Sequence, residues 1–252
     1  MTAPYSRQLL KESAYQFMTG KAVSAVLTII TLLWLVRLLP VNEYGVYVSF
    51  TAVMDLVLSL SALGLPWMAA RYVPDFRLHG EGGRVRRFVW RLFAIALALL
   101  VGVLVLVFAG LAEGLAVLNL AGYEHVASAY LAVILIEGAG RFLRERLLGP
   151  LMQQIPLRLS LILRQSTFLL LLAWLAVAEA VPLLHVVYAE IIAAAVGALV
   201  AWVGLSRHLR QIARQPGTAL WQEPTWREMW RTGNNMYFAR LITLLSSPQM
   251  LT

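Results

Sequence analysis

Long apolar stretches of similar length recur along the chain, and short segments that carry most of the charge separate them. A helix needs roughly 20 residues to cross the hydrocarbon core of a bilayer. Six stretches meet that requirement, at residues 20–39, 46–68, 88–110, 126–148, 158–178 and 182–205. The pattern predicts an all-α membrane protein, a multi-pass bundle of about six transmembrane helices plus part of a seventh.

The sixth stretch carries small residues at four-residue spacing, Ala193, Gly197 and Ala201. Small side chains on one face of a transmembrane helix let a neighbouring helix approach closely. We therefore expect this helix to pack tightly within the bundle.

Positive charge is distributed unevenly between the connecting segments. The chain has 21 Lys and Arg residues, yet none lies within residues 40–45, 110–125 or 179–182. Because cationic loops stay on the cytoplasmic side during insertion, this asymmetry predicts a cytoplasmic N-terminus. Arg37, at the end of the first stretch, is the exception.

A net charge of +8 would suggest nucleic acid as the partner of a soluble protein. Here the mean hydropathy is +0.72. The uneven distribution of Lys and Arg between the loops and their attraction to anionic lipid headgroups account for the net charge. We therefore expect membrane lipids as partners and no nucleic acid.

A short sequence near the beginning of the chain resembles one near its end. The run from Arg7 to Lys11 resembles the run from Arg227 to Arg231, and each precedes an apolar segment. Repeated bundles are common in transporters. We expect a six-helix bundle at residues 1–206, followed at 207–252 by a cytoplasmic linker and the incomplete start of a second bundle. A missing second bundle, or another copy of the chain, would complete such a protein.

Ionisable residues inside the predicted spans are functional candidates because they are costly to place in lipid. Asp55 and Glu190 are candidates for ion coupling. Glu137, Arg141 and Glu145 follow one another at four-residue spacing, so we expect them to share a helix face and partly neutralise one another. The alternative interpretation is hydrogen bonding between helices, or snorkelling near the span ends.

The inner halves of the fourth and fifth stretches are unusually polar, with Glu137, Arg141, Arg144, Arg158, Arg164 and Gln165. Lipid does not accept so many polar groups, which predicts that these halves line an aqueous, net positive cavity open to the cytoplasm. Arginine matches phosphate oxygens in pairs, so the hypothesis is an anionic substrate such as a pyrophosphate headgroup. The substrate-binding candidates here are Glu137, Arg141, Arg144 and Arg164.

Signals for an enzyme are weak. The four His residues lack the spacing of metal ligands, and the chain has no Cys. The glycine-rich segment at 80–83 lacks a phosphate-loop pattern. We predict no enzyme activity, no catalytic residue, no metal and no cofactor, with a membrane-embedded transferase as the least favoured alternative.

Three short motifs resemble a known family: the run from Arg37 to Tyr47, the run Leu63-Gly-Leu-Pro66 and the run from Ala70 to Pro74. In this order and spacing they resemble the N-terminal region of polysaccharide and O-antigen flippases. These proteins belong to the multidrug/oligosaccharidyl-lipid/polysaccharide exporter superfamily. The resemblance covers most of residues 5–250.

The resemblance implies two bundles around a central cavity. These would flip a lipid-linked glycan, an anionic substrate carried on polyprenyl pyrophosphate, across the cytoplasmic membrane during polysaccharide or lipopolysaccharide O-antigen export. It favours Arg37 as a further cavity residue. Within the motifs, Gly45 is expected to allow a close turn, and Pro66 to bend the second span.

Two alternatives stay open. A drug/cation antiporter of the same superfamily would have a cavity dominated by carboxylates rather than arginines. A membrane assembly subunit that transports nothing itself would fit the short length of the chain.

Overall fold

The computed structural model describes residues 7–79, 82–117, 120, 122–177, 181–213 and 224–245. Within these ranges the chain is helical apart from its turns, and no strand occurs. The helices are α1 (Arg7–Leu38), α2 (Val41–Ser61), α3 (Leu65–His79), α4 (Gly82–Ala109), α5 (Leu111–Val117), α6 (Glu124–Arg141), α7 (Gln154–Leu175), α8 (Leu183–Ile212) and α9 (Trp226–Leu245). A π-helical segment, Phe142–Leu148, continues α6.

Six of these helices are long and apolar enough to cross a membrane: α1, α2, α4, α6 with its π-helical continuation, α7 and α8. Each coincides with one of the six predicted stretches. The predicted fold class, an all-α membrane bundle, is confirmed. The cytoplasmic location of the N-terminus stays a prediction.

The predicted end of the second span, at residue 68, was wrong. The helix stops at Ser61, and the backbone turns through Leu63 at φ 33° and Gly64 at φ 79°. Glycine adopts positive φ at little cost, which favours the break at Gly64, whereas Leu63 adopts positive φ at a cost. Pro66 lies in the first turn of α3, where a missing N–H is tolerated, so it does not bend the second span.

The turn between α1 and α2 also differs from the expectation. Gly45 lies inside α2, and a Cβ placed there would meet nothing within 4 Å. The change of direction occurs instead at Leu39 and Pro40. The residue before a proline is disfavoured in helical geometry, so α1 ends there.

The helix α8 lies at the centre of the bundle, where it packs against both α6 and α7. Ala193 and Ala201 are buried, and the Ser160 hydroxyl of α7 donates a hydrogen bond of 2.6 Å to the Gly197 carbonyl. A Cβ at Gly197 would lie 2.9 Å from Cβ of Arg164. The predicted close approach along the small-residue face is confirmed.

Two apolar clusters form the core. The first includes Met54, Ile134 and Phe168, and the second includes Leu147 and Leu157. Along α6, α7 and α8 the chain passes from one cluster to the other. Glu137 lies between Ile134 of the first cluster and Leu143 of the second. Arg164 lies between Leu157 of the second and Phe168 of the first.

The predicted division at residue 206 falls inside α8, which continues to Ile212. Helix α9 packs against α3, and the Tyr72 hydroxyl donates to the Thr232 hydroxyl at 3.2 Å. Residues 214–223 and 246–252 of the predicted linker and second bundle, and residues 80–81 of the glycine-rich segment, lie outside the described residues. The two-part division stays a prediction.

Candidate functional site

Glu137, on α6, is the centre of a buried ionic network. Its Oε1 accepts hydrogen bonds from Nη2 of Arg144 at 2.7 Å and from Nε of Arg141 at 3.3 Å. Its Oε2 accepts one from Nε of Arg164 at 2.7 Å. The Glu137 residue is only 2% exposed. Three arginines therefore replace the water that an ionised carboxylate would otherwise need.

Two further carboxylates join the network from other helices. Nη1 of Arg141 lies 2.8 Å from Oδ1 of Asp55 on α2. Nη2 of Arg164 lies 3.6 Å from Oε1 of Glu190 on α8. The network thus holds three arginines and three carboxylates, whose formal charges cancel. The expectation of a net positive site was wrong because it counted only the charges of the fourth and fifth helices.

The π-helical segment supplies one further residue, Arg144, to the part of the network that α6 carries. Glu137 and Arg141 meet at helical i, i+4 spacing, as predicted. Arg144 follows within the wider π-helical turn and reaches back to the same carboxylate. Glu145 does not pair with Arg141, contrary to the expectation. It pairs instead with Lys21 on α1 at 3.3 Å.

Arg144 is enclosed by protein, and its residue is 2% exposed. The prediction that it lines an open aqueous cavity was therefore wrong, since α6 and α8 close around the guanidinium. A Cβ at Gly197 would lie 3.4 Å from its Nη1. Among the described residues, Nε and Nη1 of Arg144 and Oε2 of Glu190 have no hydrogen-bond partner. A role for Arg144 in substrate binding stays a prediction.

Thr28 connects α1 to the network and was not identified from the sequence. Nη1 of Arg164 donates to the Gln165 side-chain oxygen at 3.2 Å, and the Gln165 amide in turn donates to the Thr28 hydroxyl. The same hydroxyl also donates to the Ser24 carbonyl at 2.8 Å. Since threonines in helices commonly bond to their own backbone in this way, nothing in the sequence singles Thr28 out.

A cavity of about 270 Å³ lies between α2, α4 and α6, and the network reaches its wall. Asp55 and Arg141 are among its lining residues, with side chains 58% and 39% exposed, whereas the side chain of Glu137 is 3% exposed. Glu145 and Arg146 also line it. The outer Asp55–Arg141 pair is therefore the part of the network that a ligand in this cavity could contact directly.

The described part of the chain holds no cluster of three or more His, Asp or Glu residues arranged to bind a metal ion. The carboxylates of the network each face arginines instead. The ion pairs of the network can change partners in two ways. A phosphate could replace a carboxylate beside an arginine, or a proton could neutralise a carboxylate.

Comparison with known proteins assigns the chain to a family. The family model described as "Polysaccharide biosynthesis protein" matches residues 10–248, nearly the whole chain. The protein belongs to the polysaccharide biosynthesis family. No curated protein and no solved structure matches it. Membership of this family and the six apolar helices together fit a membrane polysaccharide transporter, and the resemblance drawn from the sequence motifs is confirmed.

The motifs that resemble this family lie outside the ionic network. The run from Arg37 to Tyr47 spans the turn between α1 and α2, and the run from Leu63 to Pro66 spans the break and the start of α3. Arg37 is exposed at the end of α1. It lies nine residues beyond Thr28, or about 13 Å along the helix axis. The structure does not bring Arg37 to the network, and its role as a cavity residue stays a prediction.

Proposed function

We propose that this protein moves a lipid-linked oligosaccharide or polysaccharide repeat unit, carried on polyprenyl pyrophosphate, across the cytoplasmic membrane. Family membership and six apolar helices support transport of a polysaccharide precursor. The observation that carries the specific proposal is the Asp55–Arg141 pair at the cavity wall. It offers a guanidinium at a place that an anionic headgroup can reach.

In this proposal the pyrophosphate competes with Asp55 for Arg141. The Asp55 side chain is 58% exposed on the cavity wall, and in a water-filled cavity an ion pair as open as this one contributes only about 0–1 kcal/mol. A phosphate that engages the planar guanidinium through two parallel hydrogen bonds forms a stronger contact. Arg141 can therefore exchange Asp55 for the headgroup at low cost.

The buried part of the network serves as a frame for this exchange. Glu137 keeps its contacts with Arg144 and Arg164, whose residues lie inside the bundle, while the outer face of Arg141 changes partner. Apolar residues of α4, including Leu97 and Leu100, line the opposite side of the cavity. A charged wall facing an apolar wall suits a substrate with a phosphate head and a hydrocarbon tail.

Asp55 and Glu190 are the proposed sites of ion coupling. Protonation of Asp55 would release Arg141 from one of its two carboxylates and so favour binding of the anionic headgroup. Glu190 is 4% exposed and pairs with Arg164, so a change in its charge would act on the buried ion pairs of the network.

Equilibrium binding tests the proposal directly. A fluorescent polyprenyl-pyrophosphate glycan is titrated against the purified chain in detergent micelles. Loss of one charge-assisted contact in Arg141→Gln is expected to weaken binding roughly 10- to 100-fold. Asp55→Asn removes the competitor and is expected to bind at least as tightly as the unaltered chain. Arg207→Gln, an exposed arginine of α8, is the matched control and should leave binding unchanged.

Unchanged affinity in Arg141→Gln would exclude this arginine from headgroup binding. Translocation of the same probe in proteoliposomes, with and without an ion gradient, then tests transport. Asp55→Asn and Glu190→Gln are each expected to abolish any dependence of the rate on the gradient.

A drug/cation antiporter is the second candidate, because the carboxylates of the network equal its arginines in number and Asp55 is the most exposed of them. The micelle assay separates the two functions when it is repeated with a lipophilic cation. Cation binding that is lost in Asp55→Asn and retained in Arg141→Gln would favour the antiporter.

A further inference from the structure

A second cavity, of about 240 Å³, lies at the start of α4. Its lining differs from that of the Asp55–Arg141 cavity, and the two share no residue. Three arginines, Arg84, Arg87 and Arg91, line it together with Phe88 and Trp226. Among the described residues that line it, none is a carboxylate.

The helical repeat places the three arginines on one face of α4. They follow one another at spacings of three and four residues, so their side chains project in nearly the same direction. Val85 and Val89 lie on the buried face of the same turns. Arg86 is also exposed but points away from the cavity and does not line it.

Trp226, the first residue of α9, forms a fixed wall of this cavity. Its ring lies 6.2 Å from the Phe88 ring in an edge-on arrangement. The guanidinium carbon of Arg91 lies 4.8 Å from the centre of the Trp226 ring. This cation–π contact holds one arginine in place while its N–H groups can still donate to a ligand.

Glu228, two positions after Trp226, already takes part in hydrogen bonds at the start of α9. Glu228 accepts a hydrogen bond of 2.9 Å from the Thr225 backbone N–H, and its own N–H donates to the Thr225 hydroxyl at 3.4 Å. The Thr225 N–H lowers the pKa of the Glu228 carboxyl. Its negative charge therefore stabilises the first turn of α9, both through this hydrogen bond and through the helix dipole. It does not pair with the arginines of the cavity.

The position of the cavity along α4 matches the level of lipid headgroups. Directly after Arg91, residues 92–109 are apolar, and this helix is the most hydrophobic of the six candidate spans. Arginine and tryptophan at the end of such a span favour the boundary between hydrocarbon and water. Basic pockets between helices at this level bind anionic headgroups.

We propose that this cavity binds the phosphate headgroup of an anionic phospholipid of the membrane. The phosphate oxygens accept hydrogen bonds from Arg87 and Arg91, whose planar forks match them, and the acyl chains lie along the apolar part of α4. This site is separate from Arg141, where the transported substrate is proposed to bind, so either proposal can fail without the other.

Native mass spectrometry of the full chain in detergent tests the site. Dioleoyl phosphatidylglycerol and dioleoyl phosphatidylcholine are titrated in parallel. The unaltered chain is expected to retain phosphatidylglycerol in preference to phosphatidylcholine. Arg87→Gln/Arg91→Gln is expected to lower the affinity for phosphatidylglycerol about 30-fold. Arg86→Gln, the matched control on the same turn, should bind as the unaltered chain does.

A helical spectrum and melting temperature like those of the unaltered chain establish that the double variant is folded. Should it not fold, Arg87→Lys/Arg91→Lys keeps the charges but loses the planar forks, and it is expected to bind phosphatidylglycerol several-fold more weakly. Equal losses in the Arg86→Gln control, or equal binding of the two lipids by the unaltered chain, would overturn the proposal. Displacement of phosphatidylglycerol by millimolar inorganic phosphate would also overturn it and make free phosphate the ligand.

Discussion

Substitution of Glu137 by glutamine is the most direct test of the buried network. Glutamine keeps the shape of the side chain and one acceptor oxygen but removes the negative charge that three arginines share. Arg141 retains Asp55, and Arg164 retains Glu190. Arg144 has no other ion-pair partner among the described residues, and its side chain is 2% exposed. The substitution therefore leaves one buried guanidinium without a counterion.

Removal of one partner of a buried ion pair costs about 3–5 kcal/mol. That range corresponds to a change of roughly 150- to 5,000-fold in the unfolding equilibrium. We expect Glu137→Gln to lower the free energy of unfolding by this amount. The measurement is a reversible titration from mild detergent into sodium dodecyl sulfate, followed by circular dichroism.

Glu145→Gln is the matched control on the same helical stretch. Its pair with Lys21 is partly open to solvent, with side chains 35% and 48% exposed. Exposed pairs contribute at most about 1 kcal/mol, so this variant should be nearly as stable as the unaltered chain. Glu137→Gln/Arg144→Met should recover much of the loss, because an apolar side chain needs no counterion. A loss in Glu137→Gln no larger than that of Glu145→Gln would show that solvent reaches Arg144 and would refute the argument.

Three further predictions concern packing and helix ends. Gly197→Ala places a Cβ 2.9 Å from an arginine of α7 and should lose roughly 1–3 kcal/mol, whereas Gly102→Ala, with nothing within 4 Å, should be neutral or slightly stabilising in the same titration. Gly64→Ala forces φ of +79° on a residue with a side chain and should lower the melting temperature, at a cost of at least about 1–2 kcal/mol. The pKa of Glu228 is lowered by the Thr225 N–H, so its support for α9 is present above the usual carboxyl range and is lost as the pH falls through the lowered pKa. The protection factors of amides at the start of α9, which correct for the intrinsic pH dependence of exchange, should therefore fall on acidification, whereas those of a Glu228→Gln variant should not.

The six spans could be predicted because length and hydropathy decide them locally. Each apolar stretch is long enough to cross a bilayer whatever its neighbours are. The break after Ser61 could not be predicted in this way, since the apolar sequence continues through it to Met68. Its geometry depends on a distant contact: a Cβ at Gly64 would lie 2.7 Å from the backbone of Gly233 on α9.

The members of the ionic network could also be identified, since charges within apolar stretches stand out. Their pairing could not. Glu137 meets Arg164 only because α6 and α7 both pack on α8, and Glu145 meets Lys21 only because the fold brings together residues that are 124 positions apart. Thr28, an uncharged side chain that also bonds to the backbone of its own helix, gave no such signal.

The distribution of the network over four helices, α2, α6 with its π-helical continuation, α7 and α8, has a consequence for how the chain is assembled in the bilayer. Glu137, Arg141 and Arg144 belong to one continuous helical stretch, so that stretch can enter the membrane with part of its charge already compensated. Helix α7 brings Arg164, whose carboxylate partners reside on α6 and α8. A lone arginine near the middle of an inserting helix costs about 2.5–3.5 kcal/mol. We therefore expect α7 to insert unfavourably on its own and to be stabilised in the bilayer when it docks against α6.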